Sequence, residues 1–242
     1  MRLKGLRWWI IGLVCLATII NYIDRSALAI MWPNISEDLG MDKSQYAIIL
    51  NVFLIAYAIG QSLSGKLFDK IGTRMGFVIS ITLWGIATSL HALARGLVSF
   101  SIFRVLLGIG EAGNWPGAVK SNAEWFPAKE RALAQGIFNS GAAMGASVAP
   151  PLIAVIWAAI GWELTFVLLG LLGILWVIPW LLINKAKPAD HPWITKEEQQ
   201  YILSGLEQKK EEAGKEGLGM LTLLSYRESW AVLISRFFIE PI

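Results

Sequence analysis

The chain has 242 residues, of which 55% are hydrophobic and only 16% carry a charge, and its mean hydropathy is +0.54. This composition is too apolar for a soluble enzyme and indicates an integral membrane protein. The net charge of +3 reflects basic residues in short loops, so it does not indicate nucleic-acid binding.

In chain order, six apolar runs reach about 20 residues, the length that a helix needs to cross a bilayer. They cover residues 8–32, 46–68, 76–93, 98–122, 132–159 and 162–183. A seventh run begins at Trp230 and stops at Ile242, too short to span, so we expect the chain to be part of a longer protein. The sequence predicts an all-α membrane protein with a six-helix bundle at 1–184, a central loop at 185–228 and the truncated start of a seventh span at 229–242.

Lysine and arginine concentrate on alternate loops, which predicts a cytoplasmic amino terminus. The basic residues of this side are Arg2, Lys4, Arg7, Lys66, Lys70, Arg74, Lys120, Lys129, Arg131, Lys185 and Lys187. The opposite loops carry only Lys43 and Arg95. A cleaved signal peptide is the alternative for the first segment, because a basic start and an apolar stretch precede small residues at 26–29.

Four ionisable residues, Asp24, Arg25, Arg104 and Glu111, lie inside these apolar runs. A charge at the centre of a membrane helix costs about 2.5 to 3.5 kcal/mol by insertion scales, so such groups usually line a pathway for a solute or a proton. The pattern therefore predicts a transporter. The alternatives are a structural ion pair, or a first span short enough to leave Asp24 and Arg25 at the outer interface.

The helical period indicates which of these charges can meet. Arg104 and Glu111 share a face but lie about 10.5 Å apart along the axis, so we expect their partners on other helices. Asp24 and Arg25 point about 100° apart. A pair between Asp24 and Arg104 is the economical solution, and it leaves Arg25 free for an anion. Tyr22 lies three residues before Arg25 and shares its face.

Small residues recur in the fourth and fifth runs. Gly108, Gly110 and Gly113 match a dinucleotide-binding fingerprint as a string, but no strand precedes them. We expect these glycines, and Gly141 with Gly145, to allow close helix packing. Two prolines at 150 and 151 predict a kink or a local break.

The two charged runs open consecutive three-helix groups, which suits an inverted three-plus-three repeat. A Trp-Pro pair follows the acid in each group, at 32–33 and at 115–116.

The polar stretch at 184–228 contains a predicted linker helix. Thr195 and Glu198 have capping-box spacing, so the helix should run to about Gln208. Its apolar side consists of Tyr201, Ile202 and Leu206. This side either docks on the bundle or lies at the lipid surface, and the charged run 208–216 is most simply solvated and flexible.

Aromatic and histidine residues favour structural roles. Six tryptophans near predicted helix ends are expected to anchor at the membrane interface. These are Trp8, Trp9, Trp32, Trp125, Trp162 and Trp180. His91 lies at a helix end and His191 in the loop, and neither has neighbours that suggest a metal site, so no metal or cofactor is predicted.

Several motifs resemble a known family. The stretch from Gly65 to Arg74, Gly-Lys-Leu-Phe-Asp-Lys-Ile-Gly-Thr-Arg, resembles the loop between the second and third spans of the major facilitator superfamily. Asn21-Tyr-Ile-Asp-Arg25, together with Arg104 and Glu111, is similar to the anion:cation symporter family. Further strings, at 124–131, 138–141, 149–152 and 235–241, are similar to bacterial hexuronate transporters.

This resemblance implies the amino-terminal half of a major facilitator fold in the bacterial inner membrane, with a missing carboxy-terminal half as its partner. It implies proton coupling at Asp24 and Glu111, carboxylate binding at Arg25 and contacts from Tyr57 to substrate hydroxyls. Arg104, which can pair with the first-span aspartate, is a further candidate contact, as is Tyr22. The gating loop would comprise Gly65, Asp69, Lys70, Gly72 and Arg74.

Three functions stand open at this point. The first is proton-coupled symport of a sugar acid, a hexuronate such as glucuronate or galacturonate, by alternating access. The second is facilitated diffusion or export of another organic anion. The third is a membrane sensor or an inactive fragment.

Overall fold

The computed structural model describes residues 3–185, 187–212 and 225–239, with the backbone alone at 207–212, 232–233 and 236–239. The described chain is almost entirely helical. Its helices are α1 Leu6–Leu39, α2 Lys43–Leu90, α3 Leu97–Glu111, α4 Asn114–Trp125, α5 Ala128–Ile183, α6 Lys196–Glu212 and α7 Arg227–Ile239. Short 3-10 helices occupy His91–Leu93 and Pro188–Asp190. The chain divides into two compact units, Met1–Gly205 and Leu206–Ile242.

Four helical stretches are long and apolar enough to cross a membrane. They are Leu6–Leu39, Lys43–Leu93, Leu97–Trp125 and Ala128–Ile183. All six predicted runs lie inside these stretches. The predicted seventh run starts within α7, whereas its last residues, 240–242, and residues 213–216 of the charged run lie outside the described residues.

Both of the longest helices are interrupted by a glycine. Gly72 in α2 has φ 78° and ψ 166°, and Gly161 in α5 has φ 80° and ψ 168°. Residues with a side chain are strained at such positive φ, so glycine permits each break. The backbone stays helical through Pro150 and Pro151, so a local break, one of the two outcomes predicted there, does not form. The break in α5 lies at Gly161, between the fifth and sixth predicted runs.

Glycines also let helices approach to backbone contact, as the sequence predicts. A Cβ placed on Gly108 of α3 would lie 2.7 Å from the carbonyl oxygen of Phe53 on α2. One placed on Gly145 of α5 would lie 2.6 Å from the carbonyl oxygen of Ile19 on α1. These contacts fix how α1 and α3 are rotated about their axes, and so which side chains they point at the interior.

Three of the predicted interface tryptophans belong to the interior. Trp125, Trp162 and Trp180 are 1%, 3% and 0% exposed. The indole of Trp162 donates to Asp38 at 2.7 Å, and that of Trp180 donates to the carbonyl of Arg74 at 3.0 Å. A buried indole needs such an internal acceptor, so the anchor interpretation is wrong at these positions.

The segment at 187–205, which we call the strap, caps the first helix. The Glu198 carboxylate accepts hydrogen bonds from the backbone N–H groups of Leu6 at 3.0 Å and Arg7 at 3.2 Å. Gly5 at the start of α1 has no side chain to offer, so Glu198 supplies the missing cap. Only half of the predicted capping box forms, since Thr195 Oγ1 accepts from the Glu198 N–H at 3.3 Å while the Glu198 side chain turns to α1.

Charged and aromatic groups hold the strap in place. Arg7 pairs with Glu198 and with Glu130 at the start of α5, both at 2.9 Å. Tyr201 donates to Glu130 at 3.2 Å, and Ile202 is fully buried. The apolar side of the linker helix therefore docks on the bundle at Ile202.

His191 joins the start of the strap to the end of α5. Its Nε2 donates to the Ile183 carbonyl at 2.8 Å, and its Nδ1 accepts from the Trp193 N–H at 3.2 Å. Both bonds use the neutral ring, and burial lowers the pKa of His191.

We expect Glu198→Gln to destabilise the bundle by about 1 to 2 kcal/mol, because the amide keeps the shape but loses the charge that caps α1 and pairs with Arg7. For a domain of this size that is roughly a 3 to 6 °C lower midpoint of thermal unfolding in detergent. Glu197→Gln, at the exposed neighbouring position, is the matched control and should change the midpoint by less than about 1 °C. Equal midpoints for both variants would contradict the capping role.

Candidate functional site

Three of the four membrane-embedded charges converge in the interior of the bundle. Asp24 of α1 is 1% exposed, and Arg104 and Glu111 of α3 are 2% and 0% exposed. Charges so far from solvent need compensation from one another or from polar groups. The helices thus bring together the groups that sequence reasoning singled out.

Arg25 forms the ion pair at this site. Its Nε donates to Glu111 Oε2 at 2.7 Å. The predicted pair between Asp24 and Arg104 does not form within the described residues, and Arg25 is not free. Adjacent residues of α1 diverge by about 100°, so Arg25 and Asp24 leave the helix in different directions, and it is Arg25 that bonds to Glu111.

The Arg25 guanidinium lies in an aromatic cage. Its central carbon is 4.2 Å from the ring centre of Tyr57 and 5.5 Å from those of Phe53 and Tyr22. The Tyr22 contact confirms the predicted shared face. Gln61, one turn beyond Tyr57, donates to its hydroxyl at 3.0 Å. Cation–π contacts of this kind hold a guanidinium in place while its N–H groups stay available.

Asp24 and Arg104 have unused hydrogen-bonding capacity. Both Asp24 oxygens, and Nε and Nη2 of Arg104, are buried with no partner among the described residues. The groups around the Asp24 carboxylate are Glu111, Arg104, Thr88 and Trp84. A buried carboxylate without a hydrogen-bond donor is costly in its ionised form.

Sequence reasoning missed four residues of this neighbourhood. They are Asn21, Phe53, Trp84 and Thr88. Phe53 lies between the two arginines, 5.5 Å from the Arg25 guanidinium and 5.7 Å from that of Arg104. Its position one turn before Tyr57 was the available signal, whereas Trp84 and Thr88 look like ordinary apolar and small residues of a span.

Arg25 differs from the other three charges in its access. Its side chain is 25% exposed, whereas that of Glu111 is fully buried. Near Tyr57 and Gln61, a pocket of about 560 Å³ opens between α2 and α4. Gln61, Trp115 and Lys120 are among its lining residues. Gln61 links this pocket to Tyr57, whose ring lies against the Arg25 guanidinium.

The predicted gating loop is reduced to a break at Gly72 between two helical segments. Asp69 pairs with Lys120 of α4 at 2.6 Å, but its side chain is 78% exposed, so the pair contributes little stability. Arg74 donates to the Leu181 carbonyl at 3.4 Å. Gly65 and Lys70 lie on the helical turns just before the break. The segment joins α2 to α4 and to the end of α5.

The sequence matches known transporters along its length. The family model described as Major Facilitator Superfamily matches residues 14–241. The chain is 35% identical over 242 residues to the hexuronate transporter of Escherichia coli (strain K12), which covers 99% of this chain and 55% of that protein. It is 36% identical over 242 residues to the galacturonate transporter of Dickeya chrysanthemi, covering 99% and 69% of the two chains. The chain thus spans just over half the length of the first relative.

The fold is shared with a solved transporter structure. A bacterial homolog to the human lysosomal transporter Spinster, in an inward-facing and unoccupied conformation, aligns with a TM-score of 0.71 at 20% identity. The alignment covers 96% of this chain and 50% of that one. At this identity the likeness concerns the fold alone.

Proposed function

The chain belongs to the major facilitator superfamily, a family of membrane transporters and not of enzymes, and on that basis we propose that it forms the amino-terminal half of a proton-coupled symporter for a sugar acid. The substrate class is the one named for its relatives, hexuronates and galacturonate. In this proposal residues 1–184 form the bundle, 185–228 the central loop and 229–242 the start of a seventh span. A carboxy-terminal half completes the site, and the two halves alternate access to it.

Helix lengths support six crossings. α2 has 48 residues and α5 has 56. At about 1.5 Å per residue each exceeds 70 Å, more than twice the roughly 30 Å of bilayer hydrocarbon. The breaks at Gly72 and Gly161 divide each into two crossings. With α1 and the α3–α4 stretch, this gives six.

Helix contacts support the inverted repeat. The order of one helix followed by one broken helix occurs twice, as α1 with α2 and as α3–α4 with α5. Gly145 brings the second broken helix against α1, and Gly108 brings α3 against the first broken helix. Gly85 and Gly170, from the last segments of the two groups, meet each other, since a Cβ on Gly85 would lie 2.7 Å from the Gly170 carbonyl oxygen. Such a contact between equivalent segments belongs on the axis that relates the repeats.

The basic residues of alternate loops support a cytoplasmic amino terminus and a place in the bacterial inner membrane. The strap then lies on the cytoplasmic side, with Arg7 and Glu130 at the same ends of α1 and α5.

The single observation that carries the proposal is the Arg25–Glu111 pair inside its aromatic cage, with Arg25 partly accessible. A guanidinium presents a planar fork of N–H groups that matches a carboxylate, and Nη2 of Arg25 is buried with no partner among the described residues. A sugar carboxylate can bind this fork while Tyr57 and Gln61 offer hydrogen bonds to its hydroxyls.

Coupling follows from competition for one guanidinium. Glu111 and the substrate carboxylate both bind Arg25, and protonation of Glu111 removes the negative charge that pairs with the guanidinium. Arg25 then binds the substrate. When the substrate leaves on the other side, Arg25 returns to Glu111 and the proton is released. At least one proton thus accompanies each anion and offsets the negative-inside potential that opposes anion entry.

The test uses the full-length transporter in liposomes. An inward proton gradient should drive accumulation of glucuronate or galacturonate, a protonophore should abolish it, and the neutral sugar glucose should not accumulate. Cysteines placed at Lys43 and Lys187 should be labelled from opposite sides. Equal uronate uptake with and without the gradient would support a facilitator instead of a symporter.

A further inference from the structure

His91 is a buried histidine that the transport scheme above does not use. It begins the short 3-10 helix after α2, and its side chain is fully buried. Its ring stacks on Phe166 at a centroid distance of 5.1 Å and contacts Phe100 at 5.6 Å and Phe103 at 5.9 Å. Aromatic rings from α3 and α5 thus hold the imidazole in one orientation.

The hydrogen bonding of His91 fixes its tautomer. Nδ1 lies 2.7 Å from the Ala87 carbonyl oxygen. A carbonyl can only accept, so Nδ1 carries the proton and donates it. Nε2 of the neutral ring is then an acceptor, and it is buried with no partner among the described residues. An unpaired buried acceptor costs free energy unless a donor comes to it.

Arg104 is the donor at hand. It lies one turn after Phe100 on the face of α3 that contacts the imidazole, and it acts electrostatically on His91. Its Nε and Nη2 are also buried with no partner among the described residues. The titratable and charged groups around Arg104 are Asp24 and Arg25 of α1, Tyr46 of α2 and Glu111 of α3, besides His91.

We propose that His91 is a positioning residue for proton coupling. Its Nε2 accepts a hydrogen bond from the Arg104 guanidinium when Asp24 is protonated. The inference rests on the proposed symport. With Asp24 ionised, the carboxylates of Asp24 and Glu111 offset the positive charge of Arg104. With Asp24 protonated, the guanidinium needs another hydrogen-bond acceptor, because an unpaired buried cation is costly. A neutral imidazole supplies that acceptor without adding charge. In this step only Asp24 gains or loses a proton, while Glu111 remains the group that competes for Arg25, and Arg104 and His91 keep their own protons throughout.

His91→Phe removes the acceptor but keeps an aromatic ring against Phe166. The protonated state of Asp24 is then less well stabilised, so the pH of half-maximal uronate uptake should move down by about one unit, a roughly tenfold change in proton affinity. Exchange of labelled for unlabelled uronate at saturating substrate should stay within about twofold of wild type, because exchange needs no net proton movement. His91→Gln, whose amide can both donate to Ala87 and accept from Arg104, should restore most of the profile.

The outcomes separate this inference from the function on which it rests. Wild-type uronate uptake that is the same with and without the proton gradient would contradict the symport proposal. Gradient-driven wild-type uptake with a superimposable His91→Phe profile would overturn the role of His91 alone, and so would a Gln variant shifted as far as the Phe variant.

A spectroscopic test does not need transport. In the full-length protein carrying His191→Gln and ¹⁵N-labelled histidine, the signal assigned by its loss in a His91 variant should show protonated Nδ1 and unprotonated Nε2 at neutral pH. Asp24→Asn mimics the protonated acid, so it should shift the Nε2 resonance as Arg104 donates to it. A protonated Nε2, or a resonance unmoved by Asp24→Asn, would overturn the proposal.

Discussion

Arg25→Lys in the full-length transporter should weaken uronate binding by about 30- to 100-fold, although the positive charge is kept. In the empty site the guanidinium donates from Nε to Glu111, and once Glu111 is protonated its planar fork of N–H groups can bind the substrate carboxylate. An ammonium cannot offer two coplanar N–H groups to one carboxylate, and the loss of a charge-assisted bidentate contact corresponds to about 2 to 3 kcal/mol. Equilibrium binding of labelled uronate measures the effect.

The matched control is Arg95→Lys, the same exchange in the turn before α3. The Arg95 side chain bonds only to the backbone carbonyls of Ala92 and Ala94 within the described chain, so the uronate affinity of this variant should match wild type. Near-normal affinity in the Arg25→Lys variant would move the anion site elsewhere, with Arg104 as the next candidate.

Glu111→Gln should separate exchange from concentrative uptake. The glutamine keeps the shape and an acceptor for Arg25 Nε, but it cannot ionise, so it mimics the protonated acid permanently. Exchange of labelled for unlabelled uronate should therefore survive. Accumulation driven by a pH gradient should fall by at least about tenfold, because the empty carrier can no longer release a proton and reset.

Both activities are measured on the same proteoliposomes. Glu37→Gln, at an exposed position near the end of α1, is the control and should retain both. Retained accumulation in the Glu111→Gln variant would rule out this residue as the coupling site. Loss of both activities would indicate direct substrate contact or a structural role.

The sequence was sufficient to place the charges inside long apolar helices and to predict that Tyr22 shares a face with Arg25, because both inferences need only hydropathy and the helical period. It could not decide which carboxylate Arg25 meets. That choice depends on how α1 and α3 are rotated and shifted, which contacts at Gly108 and Gly145 determine. The Asp24–Arg104 pair that we predicted does not form in this packing of the described helices.

Long-range contacts explain the other errors. Phe53 belongs to the site because α2 runs between two arginines of other helices, a position that no local pattern reports. Glu198 satisfies the capping-box spacing within its own helix, yet its carboxylate caps α1. A local motif gives the residue types that a site needs, whereas the tertiary fold decides which of several available donors they meet.

The strap also imposes an order on biosynthesis. Glu198 and Leu6, which it caps, are 192 residues apart in the chain. At about 5 to 20 residues per second, the first turn of α1 leaves the ribosome roughly 10 to 40 s before its capping carboxylate exists. The amino-terminal end of the first helix is therefore among the last parts of the bundle to reach its final hydrogen bonding, and a ribosome that stalls before residue 198 leaves that end frayed.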